Sequence, residues 1–252
     1  MTQDFLFRVG CVTDVGRVRE HNEDSVLAKP AVGLWVVSDG MGGYGNGDIA
    51  SRAVVEALET LAPNESAPGL LADFEQKIIG VNAELRSLAR SRNRQMIGAT
   101  LVALIVHGAH YACIWCGDSR AYLHRNKGLT QVSRDHSEVQ ELIDRGVLSK
   151  EEARTWPGRN VITRALGASD QAELDIVDGP VHAGDRFLLC SDGLIAHVTD
   201  DEIAARLAAD DPQAACDDLL QLTLGRGASD NVSIIVVDCG RLADAPQAGA
   251  DA

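Results

Sequence analysis

Four aspartates stand at the ends of apolar runs. Leu34-Trp35-Val36-Val37 leads into Ser38-Asp39-Gly40, and Phe187-Leu188-Leu189-Cys190 leads into Ser191-Asp192-Gly193. Residues 113–116 lead into Gly117-Asp118-Ser119, and Ser229-Asp230-Asn231 precedes the run 232–237. Carboxylates gathered at strand ends repel one another and resist ionisation. A hard dication removes that cost, and carboxylate, carbonyl and water ligands select Mg²⁺, Mn²⁺ or Ca²⁺ over Zn²⁺. Asp-Gly is also an ordinary turn dipeptide. On pattern alone both readings stand, four separate turns or one shared metal site. A second cluster, Arg19-Glu20-His21-Asn22-Glu23-Asp24, supplies adjacent acids and a guanidinium that grips phosphate oxygens bidentately. Its plain alternative is a solvated charged turn.

The elements that must position these residues are legible in outline. Strand patterns cover residues 5–13, 25–28 and 34–37, followed by a glycine-rich turn over 40–47. Ile49, Ala53, Ala57 and Leu61 recur at four-residue steps, and Pro63 stops that helix. Leu71, Phe74, Ile78, Val81, Leu85 and Leu88 mark a second, amphipathic helix. Strands are predicted over 99–106, 111–116, 121–124 and 129–132, with hairpin-sized gaps between the first two and the last two. Residues 135–166 are polar. Capping boxes are expected at Ser137/Gln140 and Ser149/Glu152, and the segment reads as a surface flap. Strands follow over 174–177, 187–190 and 232–237. Two helices are expected between the last two, opened by Thr199/Glu202 and by Asp211-Pro212. Strands cluster and helices cluster, which predicts α+β with antiparallel sheets.

Composition bounds the function. The chain has 252 residues, 45% of them hydrophobic, enough for a sizeable core. Its net charge of −14 argues against nucleic acid or an anionic membrane as a primary partner and suits divalent cations. No run approaches the roughly 20 apolar residues of a membrane span. The first ten residues include Asp4 and no apolar core, so no signal peptide is expected. Six cysteines in a chain this long are no disulfide framework, which predicts a reducing, cytoplasmic compartment.

The motifs together resemble the metal-dependent protein phosphatases of the type 2C serine/threonine class, in their compact bacterial form. The matching stretches are Thr13-Asp14-Val15-Gly16 with Arg19, Asn22-Glu23-Asp24, Val37 to Gly43, Gly98-Ala99-Thr100, Cys116 to Arg120, Asp135-His136-Ser137, Asn160 to Gly167, Ser191-Asp192-Gly193 and Ser229-Asp230-Asn231. The resemblance implies a catalytic domain over 5–240 with a flap at about 136–166, and the low-complexity tail over 241–252 is expected to be disordered. It implies a four-layer α-β-β-α sandwich of two antiparallel sheets flanked by helix pairs. It also implies two core Mn²⁺ or Mg²⁺ ions and a third, weaker one. Asp39 would bridge the core pair, and Asp192 and Asp230 would complete one shell. Glu23 and the Gly40 carbonyl would serve the other. Asp24 would orient a metal-held water, Asp118 with Asp192 would take the third ion, and Arg19 would hold the phosphate.

The activity so implied is hydrolysis of phosphoserine and phosphothreonine in proteins by a metal-activated water, opposing a bacterial Ser/Thr kinase, by a monomer. Some short relatives serve type VI secretion loci. The alternatives are a catalytically weak phospho-binding regulatory protein and a two-metal hydrolase of small phosphoesters. Met41 stands where eukaryotic members carry a His proposed as general acid, so the proton donor is open, with metal-bound water, His21 and His136 as candidates.

Three competing motifs fail on context. Gly40-Met41-Gly42-Gly43-Tyr44-Gly45 matches a dinucleotide fingerprint, but a second helix pattern follows where a parallel strand is needed. Cys11 and Arg17 have the spacing of a cysteine phosphatase loop, but Asp14 inside it would repel a dianion; Cys11 reads as a buried strand cysteine. Cys113 and Cys116, three apart in a strand, point to opposite faces and do not share a metal.

Overall fold

The structure is a computed structural model and describes residues 5–42, 46–92 and 96–241. The chain begins with β1 (Phe5–Asp14), β2 (Asp24–Lys29), β3 (Leu34–Gly42), α1 (Gly47–Glu59) and α2 (Ala67–Ser91). Next come β4 (Ile97–Ala99), β5 (Leu101–His107), β6 (His110–Cys116), β7 (Arg120–Arg125) and β8 (Gly128–Gln131). Two short helices follow, α3 (Glu138–Asp144) and α4 (Lys150–Ala153). The remainder is β9 (Asp175–Pro180), β10 (Asp185–Cys190), α5 (Asp192–Ile195), α6 (Asp200–Arg206), α7 (Pro212–Gly225) and β11 (Val232–Arg241).

One antiparallel sheet runs β1-β11-β10-β7-β8, the other β2-β3-β5-β6-β9, with β4 on the end of β3. Period-two alternation sorts each strand's side chains into separate interlayers. On β3, Leu34 and Val36 meet Val54, Leu58 and Phe74 of α1 and α2. Trp35 and Val37 face the opposite sheet and join Phe187, Leu189, Ile235 and Val237. On β11, Ile234 and Val236 turn outward to Cys216 and Leu219 of α7. The result is the expected four-layer sandwich. With both faces of both sheets covered, strands such as 34–37 read as continuous apolar runs rather than alternating ones. On α2, Ser66 caps the first turn by accepting the Gly69 N–H, and Leu70, Phe74, Ile78, Val81 and Leu85 form its buried stripe.

Several boundaries differ from the sequence-based expectation. Strand β3 continues past Val37 to Gly42 because β4 pairs with Gly40, Met41 and Gly42. Residues 43–45 of the expected glycine-rich turn lie outside the described residues, as does the expected tail apart from Arg241, which ends β11. The run 99–106 is split at Thr100, whose N–H leaves the ladder and donates to the Asp39 carbonyl. Three helices, not two, separate β10 from β11. The extra one, α5, is a single turn, too short to carry a periodic signal.

Capping boxes are complete at Ser149/Glu152 and Thr199/Glu202. At Ser137 only the forward arm forms, the hydroxyl accepting the Gln140 N–H. The end of segment 136–166 is not surface, since Leu166 is fully buried and bridges to Ala99. All six cysteines are free. Cys113 lies between the sheets and Cys116 on the helix side, on opposite faces as expected. Cys11 is only half-buried. Helix α1 is followed by α2, so there is no βαβ unit at the glycine motif.

Candidate active site

Asp24 opens β2 and sits directly across the ladder from Asp39 on β3. Asp118 lies in the tight connection between β6 and β7, Asp192 is the first residue of α5 after β10, and Asp230 precedes β11. Both sheets therefore deliver acids to one end of the sandwich. Asp39 feels repulsion from Asp24, Asp192, Asp118 and Asp230, and burial, the larger effect, helps to hold its pKa well above the usual carboxylate range. Asp192 is raised likewise, by burial and then by Asp118, Asp230 and Asp24. Burial pushes Asp118 up to about 7, with repulsion from Asp135 adding to it. Burial pushes Asp24 up to about 6, against the hydrogen bond that Ser191 gives it.

Backbone geometry brings the neighbouring segments close. The Gly40 N–H donates to the Glu23 carbonyl at 3.0 Å. A Cβ on Gly40 would lie 1.9 Å from the Gly47 carbonyl oxygen, and one on Gly47 would lie 2.6 Å from the Glu23 carboxyl carbon. Only glycine at both positions lets the start of α1 approach β3 and lets the Glu23 Oε1 accept the Gly47 N–H at 3.2 Å. Arg19, half-exposed at the rim, donates from Nη2 to Asp230 Oδ2 at 2.7 Å.

Residues 16–222 match the protein phosphatase 2C family. The chain belongs to that family. It is 36% identical over 234 residues to the serine/threonine protein phosphatase PstP of Mycobacterium tuberculosis, across 92% of this chain but 45% of PstP. The chain thus spans about half the length of that relative. Among solved structures it is similar to PppA, described as a key regulatory component of T6SS in Pseudomonas aeruginosa. There the identity is 40% and the TM-score 0.87, over 92% of this chain and 97% of that one. It is also similar to the catalytic domain of PstP in complex with two manganese ions, at 34% identity and a TM-score of 0.85, over 94% and 99%.

The residues of this phosphatase 2C chain fit a hard dication on their own evidence. Asp24 Oδ1 is buried without a hydrogen-bond partner in the protein, the position at which a water or ion belongs. Burial first and neighbouring acids second raise the pKa of four buried carboxylates, a cost that positive charge removes. Among the described residues no three acid, imidazole or thiol side chains are gathered closely enough to hold a metal ion by themselves. A cation placed there would keep several waters to complete its shell.

Asn231, Thr100 and Ser191 stand in the matching motifs, but their supporting roles were not readable from them. Asn231 donates from Nδ2 to the carbonyls of Val15 and His21, and its Oδ1 accepts the Glu23 N–H, so it ties down the loop that carries Arg19. Thr100 Oγ1 accepts the Asp39 N–H at 2.9 Å and bonds Ser119 Oγ at 2.7 Å. Ser191 donates to Asp24 Oδ2 at 2.7 Å and accepts the Ser233 N–H. A small hydroxyl beside each acid was visible in the chain, but the carboxylate it serves is distant in sequence. Of the two histidines considered as proton donors, His136 is buried with both ring nitrogens engaged, by the Gly117 N–H and by Asp175. His21 is exposed on the Arg19 loop.

Proposed function

We propose that the chain is a metal-dependent protein serine/threonine phosphatase, hydrolysing phosphoserine and phosphothreonine without a covalent phosphoenzyme. The observation that carries this reading is the convergence of Asp39, Asp24, Asp192, Asp118 and Asp230 at one end of the sandwich, with Arg19 at its rim. The absence of any departure among these acids favours an active enzyme over a phospho-binding regulator. Residues 5–240 form the catalytic domain and residues 136–166 its flap.

Asp39 would bridge two Mn²⁺ or Mg²⁺ ions, Asp192 and Asp230 would complete one shell, and Glu23 and the Gly40 carbonyl the other. Asp118 with Asp192 would hold a third. When bound, such ions supply the charge that acidifies water and clamps attacking and leaving oxygens. Asp24 is fixed through Oδ2 by Ser191, and its unpartnered Oδ1 would orient a water by accepting a hydrogen bond from it. Arg19 exchanges its bond to Asp230 for two to the substrate phosphate and holds the phosphorus in line. With His136 engaged, His21 is the imidazole candidate for protonating the leaving alkoxide.

Similarity to PppA supports a role in the regulation of type VI secretion. Six free cysteines support a cytoplasmic site of action, and among the described residues no helix is long and apolar enough to cross a membrane. We take the protein to act as a monomer.

The test is phosphate release from a phosphothreonine peptide with Mn²⁺, with Mg²⁺ and with excess EDTA, with Asp192→Asn in parallel. Metal-dependent turnover that collapses in the variant is expected. A folded protein that releases no phosphate with either metal, yet binds the phosphopeptide, would establish the regulatory alternative instead.

A further inference from the structure

His136 begins the segment 136–166 and grips Gly117, the residue before Asp118, from two sides. Its N–H donates to the Gly117 carbonyl at 2.9 Å, and its Nδ1 accepts the Gly117 N–H at 3.1 Å. With Nδ1 an acceptor, the ring proton sits on Nε2 and faces Asp175 Oδ2 at 3.2 Å. Arg164 secures that carboxylate from Nη1 at 3.0 Å, and the Trp115 indole stacks on the imidazole at 6.1 Å between centroids.

Gly117 has φ +111°, and a Cβ there would lie 2.7 Å from the methyl of Thr100, the residue that orders the Asp39 amide. Gly117 is thus wedged between Thr100 and His136. On its other side His136 holds the segment itself, its carbonyl accepting the Thr163 N–H at 2.8 Å while Ser137 bridges to Ile162. Among the described residues, His136 alone grips this joint through both its backbone and its side chain. A residue that merely filled space here would need neither ring nitrogen.

We propose that His136 is a positioning residue that couples segment 136–166 to the Asp118 carboxylate through the Gly117 amide, so that displacing the segment loosens the cation held at Asp118. The role of Asp118 in this inference rests on the phosphatase reading; the grip on Gly117 does not.

Three variants separate the ring nitrogens from the ring's bulk. His136→Asn places an amide oxygen where Nδ1 stands, His136→Gln places its amide where Nε2 stands, and His136→Leu keeps volume alone. The readouts are exchange of the Gly117 amide proton by NMR in metal-free protein and Mn²⁺ binding by calorimetry. Native and Asn proteins should behave alike. Gln and Leu should exchange the Gly117 amide faster and bind the weakest Mn²⁺ less tightly, each by about three- to tenfold, the worth of one buried amide hydrogen bond. Unchanged exchange and binding in Gln, or an equal loss in Asn and Gln, would overturn the proposal, and that pair decides it even if Leu does not fold. A native protein that shows the exchange pattern but no phosphopeptide turnover would refute the phosphatase reading while leaving the coupling in place.

Discussion

The guanidinium of Arg19 is bonded to the carboxylate of Asp230, Nη2 to Oδ2 at 2.7 Å, across 211 residues of sequence. The arginine proposed to bind phosphate and an acid proposed to bind metal are thereby partners of each other. A dication at Asp230 would compete for the same oxygen, and loading the proposed centre would free the arginine for substrate.

This pairing predicts how an Arg19 substitution divides its effects. Arg19→Ala should lower kcat/KM on a phosphothreonine peptide by about ten- to a hundredfold, the worth of a charge-assisted hydrogen bond. It should not weaken Mn²⁺ binding, because the carboxylate loses a competitor. Steady-state kinetics and a calorimetric Mn²⁺ titration on the same variant check both halves. A parallel loss of metal affinity would contradict the exchange.

Asp39→Asn should uncouple stability from activity. The native carboxyl is buried among four other acids, so its removal relieves repulsion and desolvation in the metal-free protein. We expect turnover to fall by about a hundredfold or more. The melting temperature in EDTA should rise by about 2–4 °C for each kcal/mol relieved. Calorimetry in EDTA that showed a lower melting temperature would argue that the acid is structural.

The acid cluster also sets the pH dependence of the metal-free fold. Asp24 and Asp118 titrate at about 6 and about 7 in the folded chain, above their ordinary value. A raised carboxylate pKa means that the folded state holds protons which the unfolded state has released. Its stabilising effect is full below about pH 4 and is lost as pH rises through about 7. Thermal melts in EDTA from pH 4 to pH 8 should fall across that window by at least a few degrees, about 1 kcal/mol in a chain of this size. Millimolar Mn²⁺ or Mg²⁺ should abolish the fall, because the ionised forms are the ones that a cation binds. A flat EDTA profile would contradict this account.

Gly40→Ala should be worse than an ordinary methyl insertion. The added Cβ meets backbone, the Gly47 carbonyl at 1.9 Å, and backbone at the start of a helix cannot give way cheaply. The expected cost is about 3 kcal/mol or more, read as a lowered denaturant midpoint, with loss of turnover as β3 and α1 separate.

The sequence by itself determined most of the elements, though not β4 or α5, together with the antiparallel class and the aspartates at the strand ends. These are local properties. A period of two or 3.6, a proline stop or an Asp-Gly at the end of an apolar run needs no knowledge of distant partners. Even the continuous run Leu34 to Val37 announced a strand covered on both faces. Only the tertiary structure decided where β3 ends, because its last three residues are strand by virtue of β4, some 55 residues onward. Only it assigned Ser191 to Asp24, Asn231 to the Arg19 loop and His136 to Gly117. Each is a hydrogen bond between segments that meet where the strands of both sheets end. A hydroxyl or imidazole has the same local signature whether it faces solvent or a carboxylate 167 residues away. The register of the sheets, not any pattern along the chain, chooses between the two.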